Sequence, residues 1–127
     1  MEGNSLSDIR TEEDVKRMVN SFYEKVNQNA MLSSIFNDFS QVNWEKHLPK
    51  MYEFWNYLLL GIPGYNGRPF PVHAQLPVNS AHFDTWLSLF KSNIDEQFSG
   101  PVADMAKQKG EQIALAFQYR MGLVQTN

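Results

Sequence analysis

Cysteine is absent from the 127-residue chain. Disulfides, thiolate metal sites and the Cys-x-x-Cys-His attachment of a prosthetic group are therefore excluded. Long apolar runs are missing as well. The longest hydrophobic stretch, near Phe54 to Ile62, is too short to span a bilayer, and the N-terminal MEGNSLSDIRTEED has no apolar segment of signal-peptide length. The expected address is cytoplasmic, with no membrane partner. Charge of one sign is also scarce: a formal net charge of −3 with scattered basic residues leaves no electrostatic footprint for nucleic acid. No segment carries the alternation of a half-buried strand, and there are no internal repeats.

What is present is aromatic bulk. Nine Phe, five Tyr and three Trp within a 43% hydrophobic chain can fill a core and line a pocket. A chain of this size buries roughly 70% of its unfolded surface, which predicts one domain over 1–127.

Apolar positions repeat at helical spacing. Val15, Met18, Val19, Phe22 and Val26 form one stripe over residues 11–27, opened by Thr11 and the acids Glu12, Glu13 and Asp14, which suit a capped helix start. A short turn or helix over Leu32 to Phe36 follows, with 37–41 as loop. A second long helix runs from Trp44 to Leu60 on Leu48, Met51, Phe54, Trp55, Leu58 and Leu59. Residues 61–71 hold three glycines and three prolines and predict a rigid loop, ending in a helical turn around Val72 to Leu76. Asn79 and Ser80 are candidate caps for a third helix with the stripe Phe83, Trp86, Leu87, Phe90, Ile94 and Phe98. Gly100-Pro101 then separates a fourth, whose apolar side carries Val102, Met105, Ala106, Ile113, Ala116, Phe117 and Met121. The expected fold class is all-α, with four principal helices.

The histidines His47, His73 and His82 are spaced unlike any short-range zinc pattern. Each alone reads as an ordinary surface or core histidine. His73 differs in its setting, because Pro69 and Pro71 stiffen the loop before it and would present the ring with little entropy left to lose on binding a metal. On the second helix His47, Lys50, Met51 and Phe54 recur at steps of three and four, which fits either an amphipathic helix or the wall of a pocket. Phe22 and Tyr23 on the first helix and His82, Trp86 and Phe90 on the third add further candidates. Buried Tyr and Trp need a partner for their polar hydrogen, and a ligand could supply it.

Several segments together resemble the group III truncated haemoglobins: Phe22-Tyr23-Glu24-Lys25-Val26, Trp44-Glu45-Lys46-His47, Phe54-Trp55, Tyr65-Asn66-Gly67-Arg68-Pro69 with His73 and Leu76-Pro77, and the run His82 to Phe90. The resemblance covers nearly the whole chain. It implies a globin-like, truncated two-over-two helical sandwich holding haem b and its iron without covalent attachment. It further implies His73 as proximal iron ligand and Tyr23 and Trp86 as donors to a ligand on the distal side. His47 takes the distal histidine position, Lys50 lies near a propionate, Met51 and Phe54 pack on the porphyrin, and Phe36 is the aromatic at its edge. The family does without the Gly-Gly motifs of its relatives, and this chain has none. Pro49 departs from the pattern: proline fits best in a first helical turn, which predicts a helix start near Lys46 and a His47 ring that swings outward.

The implied activity is binding of O2 and other diatomic ligands (NO, CO), with NO dioxygenation or peroxidase-like chemistry as candidate reactions that would need an external electron donor, since no fused reductase is expected. A simple oxygen store or carrier is the alternative among haem proteins. A non-haem helical interaction module is the alternative outside them. The roles of His82, Arg68 and Tyr65 stay open.

Overall fold

The computed structural model describes residues 6–39, 43–64 and 78–120. The helical turn expected at Val72 to Leu76, and His73, Tyr65, Arg68 and Met121, lie outside these residues.

Helix α1 (Glu12–Gln28) begins where the Thr11 hydroxyl accepts from the Asp14 N–H at 3.2 Å and the Asp14 carboxylate accepts from Thr11 N–H at 3.1 Å. This reciprocal capping satisfies donors that a helix start otherwise leaves open. Its buried stripe is the expected one with Tyr23 added. A short helix, α2 (Ala30–Ser33), is capped by Asn29 and passes directly into a π-helical segment, Ser34–Phe39. The sequence predicted loop from residue 37 onward. The coil persists because Asn37, a poor helix former, is held by partners remote in sequence: it donates to the Asn27 side chain and accepts from Trp44.

Helix α3 (Trp44–Leu60) keeps the limits its apolar stripe predicted: it is capped by Asn43 and starts two residues before the Lys46 that Pro49 suggested. Pro49 sits inside it. Pro49 and Glu45, whose carbonyl a residue at 49 would normally bond, are both exposed, so water can take that carbonyl. Gly61 ends the helix at φ 69°, a left-handed conformation suited to glycine. Helix α4 (Ser80–Gln97) is capped by Asn79, and α5 (Pro101–Arg120) has proline in its first position.

Asp8 caps α5 from outside. Its carboxylate accepts from the N–H groups of Val102 at 2.9 Å and Ala103 at 2.8 Å. Gly100, at φ 145°, leaves room for it, since a Cβ there would meet Asp8 Cγ at 2.5 Å. Partial burial acts to raise the Asp8 pKa, but the N–H donors of Val102, Ala103 and Ile9 and the Arg10 charge outweigh it and hold the carboxyl below its ordinary value. A carboxyl depressed in the folded state stabilises above its unfolded pKa, near 4, and that stabilisation disappears as pH falls through the folded value. Asp8→Ala should therefore lower unfolding stability by about 0.5–2 kcal/mol at pH 7. The gap from wild type should begin to narrow below about pH 4 and close as pH falls through the folded-state value. Urea unfolding at pH 7 and in acid below the folded-state pKa checks this, and a gap that persists undiminished in that acid refutes the cap.

The helices pair as α1 with α3 and α4 with α5, and α1 also crosses α4. Small residues set the α4–α5 approach: Ala103, Ala106, Gly110 and Ala114 are the buried residues of α5, and a Cβ on Gly110 would lie 2.7 Å from the Phe90 ring. The buried face of α5 is thus centred away from Ala116, which is exposed although the sequence stripe included it. Asn93, fully buried, joins α4 to α1: its amide donates to the Met18 carbonyl at 2.9 Å and its oxygen accepts from Lys25 at 3.1 Å and Gln97 at 3.0 Å. Between the helices lies an aromatic core in which Phe90 stacks on Trp86 and on Trp55 and meets Phe22 edge-on. Among the described residues no helix is long and apolar enough to cross a membrane.

Candidate functional site

A cavity of about 300 Å³ opens between the helix pairs. α1 contributes Tyr23, the π-helical segment Phe36, α3 Met51 and Phe54, and α4 Trp86. With His82, which lines it as well, six of the residues singled out in the sequence share this cavity. Ile35, Trp55, Val78, Phe83, Ile113 and Phe117 line it too, without having been assigned to a site from the sequence. Several belong to the stripes read there, but which stripe faces a cavity and which a neighbouring helix is a property of helix pairing.

Tyr23 lines the cavity from α1. Its ring meets Phe22, Trp44, His47 and Phe36 at centroid distances of 5.0, 5.2, 5.5 and 5.9 Å. Burial pushes its phenol pKa up, because an isolated phenolate would be desolvated there. Tyr23 is therefore a neutral O–H donor across the physiological range. Among the described residues no group hydrogen-bonds the Tyr23 hydroxyl or the Trp86 indole N–H.

His47 turns inward, against the outward swing that Pro49 suggested. Its ring lies edge-on to Tyr23 and to Trp44 (5.6 Å), and its Nε2 is buried. Its spacing from Met51 and Phe54 puts it on their side of α3, although His47 itself is not among the cavity-lining residues. Lys50 is exposed on α3 and outside the cavity lining. His82 has two roles in the structure: its Nδ1 accepts from the Asn79 N–H at 3.1 Å in the α4 cap, and the residue also lines the cavity. His73 lies outside the described residues.

Two helix pairs closing on an aromatic cavity constitute the truncated globin fold, an all-α two-over-two sandwich. The bacterial-like globin family model matches residues 6–119, and the chain belongs to that family. It is 32% identical over 111 residues to the group 3 truncated haemoglobin ctb of Campylobacter jejuni, covering 84% of this chain and 87% of that protein. A crystal structure of group III truncated haemoglobin from Campylobacter jejuni superposes with a TM-score of 0.82 at 29% identity, over 91% of this chain and 94% of that one.

Globin membership implies a haem cofactor with iron and the binding of diatomic gases such as O2. The residues present fit that group. The cavity walls are almost wholly apolar and aromatic, as a porphyrin face requires, and the lining includes two uncharged hydrogen-bond donors, Tyr23 and Trp86.

Proposed function

We propose that this protein holds one non-covalent haem b in the cavity, through His73, and uses it to bind O2, NO and CO. The observation that carries this reading is the pairing of an apolar cavity with two hydrogen-bond donors, Tyr23 and Trp86, that are not engaged by any other described residue. When bound, haem supplies an iron centre that takes a diatomic ligand and exchanges electrons.

The chain's own residues do the rest. Phe36, Met51 and Phe54 pack around the porphyrin and keep water away, which strengthens every polar contact inside. Tyr23 stays protonated and donates to a ligand that carries partial negative charge, with Trp86 as second donor and His47 beside Tyr23. Lys50, exposed on α3, is the residue this reading assigns to pair with a propionate reaching solvent.

Tight retention of O2 by two donors suits redox turnover better than transport. NO dioxygenation and peroxidase-like chemistry are the reactions we favour, with electrons from an external donor, in a cytoplasmic, single-domain protein. A storage protein would show no turnover with NO or peroxide.

Hemin titration tests the cofactor directly. The wild-type protein should develop a Soret band at one haem per chain, and His73→Ala should abolish or strongly weaken it while the apo protein keeps its helical far-UV signal. A wild-type protein with no Soret band overturns the reading.

A further inference from the structure

The Tyr23 hydroxyl has no hydrogen bond among the described residues, so the direction of its O–H depends on the rings packed around it. Trp44 is the neighbour whose own orientation is tied down. Its indole Nε1–H donates to Asn37 Oδ1 at 2.8 Å, while the Asn37 amide donates to Asn27 Oδ1 at 2.7 Å and to Ser33 Oγ at 3.1 Å. One side chain in the π-helical segment is thereby clamped to α1, α2 and α3 together. Trp44 then stacks on Phe36 at 5.7 Å and 26°, and contacts Tyr23 at 5.2 Å and His47 at 5.6 Å.

We propose that Asn37 is a positioning residue for the cavity: by holding the Trp44 indole it locks the Trp44–Phe36 stack against Tyr23 and His47, and so sets the angle at which the phenol meets a ligand. The inference rests on the haem reading above. Its physical basis is the difference between the two kinds of contact. Aromatic packing fixes a distance but leaves a ring free to tilt, whereas a hydrogen bond with saturated partners is directional. The π-helical coil is what brings Asn37 within reach of both Asn27 and Trp44, and wide coils of this kind recur at functional sites.

The test uses the full chain reconstituted with hemin, with the variants Asn37→Leu, Trp44→Phe, their double and Asn37→Asp. Asn37→Leu and Trp44→Phe should each speed O2 release several-fold, up to about tenfold, the worth of one hydrogen bond. Each should also move the C–O stretching frequency of the CO complex. The double variant should do no more than the larger single change, because both remove one interaction. Asn37→Asp keeps an oxygen acceptor for the indole but loses the amide donors to Asn27 and Ser33, so it should move both readouts in the same direction as Asn37→Leu and by less. In the apo protein the Trp44 indole N–H resonance, assigned by its loss in Trp44→Phe, should exchange slowly in wild type and fast in Asn37→Leu. If the variants lose that protection and only their melting temperature falls, with O2 release and C–O stretch unchanged, Asn37 is structural and the proposal is overturned. If wild type takes up no hemin, the proposal falls with the haem reading, and a still-protected indole proton identifies the cofactor reading as the part that failed.

Discussion

Tyr23→Phe should accelerate O2 dissociation by roughly ten- to a hundredfold, the equivalent of about 1.5–3 kcal/mol for a hydrogen bond to a partly charged acceptor. The substitution removes one oxygen and leaves the ring contacts with Phe22, Phe36, Trp44 and His47 in place, so packing should survive. The donor is dependable because burial raises the phenol pKa above its usual value. Ionisation would remove the proton only in strong alkali, so the Tyr23 contribution should be constant between about pH 6 and 9. Stopped-flow mixing of the oxy protein with excess CO measures the rate. An unchanged off-rate in the phenylalanine variant would remove Tyr23 from this role.

The second large effect falls on stability. Phe90→Ala should lower the unfolding free energy of the apo protein by about 3–5 kcal/mol, the range for truncating a buried aromatic. Phe90 is 1% exposed and lies parallel to Trp86 at 5.3 Å, with Trp55 at 5.1 Å on another side and Phe22 edge-on. The ring is also what α5 closes upon, because Gly110 presents bare backbone to it. Removing it leaves a hole that three other rings can collapse into only by tilting. Against a typical total of about 5–15 kcal/mol, the variant should sit near the threshold of folding. Urea unfolding should show a lower midpoint with an unchanged slope. A loss under about 1 kcal/mol would mean that the neighbouring rings repack fully. Trp86 loses its stacking partner in the same change, so a folded variant should bind hemin with a broadened Soret band.

Much of this was legible in the residues. The stripe of α1 reads from Val15 to Val26 because burial on one side of a helix imposes a period of 3.6 on the sequence, and its start reads from Thr11 and Asp14 because capping is local chemistry. The breaks at Gly61 and Gly100-Pro101 are equally local, set by backbone torsions that single residues permit or forbid. Aromatic residues for a pocket could be nominated from composition, and the resemblance to truncated globins assigned them places.

The inward turn of His47 was implied by the family resemblance but was not legible in the residues around Pro49. Pro49 argues for a late helix start when only its own turn is considered, whereas Asn43 caps the helix earlier and Glu45 and Pro49 both face water. Asn37 illustrates the same limit: it reads as loop until Asn27 and Trp44 are brought against it. Asp8 and Asn93 carry no periodic signal either, since the groups they satisfy lie in helices distant along the chain.

The sequence by itself thus determined the all-α class, the helix limits set by local caps and breakers, and the aromatic supply of the pocket. Those are properties of neighbours within a turn or two. Only the tertiary structure decided which stripes face the cavity, that His47 lies against Tyr23, and that Asn37 reaches three elements at once. The reason is that a helix face has no meaning until another helix covers it, and polar residues such as Asn37 and Asn93 choose between loop and buried linker according to partners that folding alone supplies.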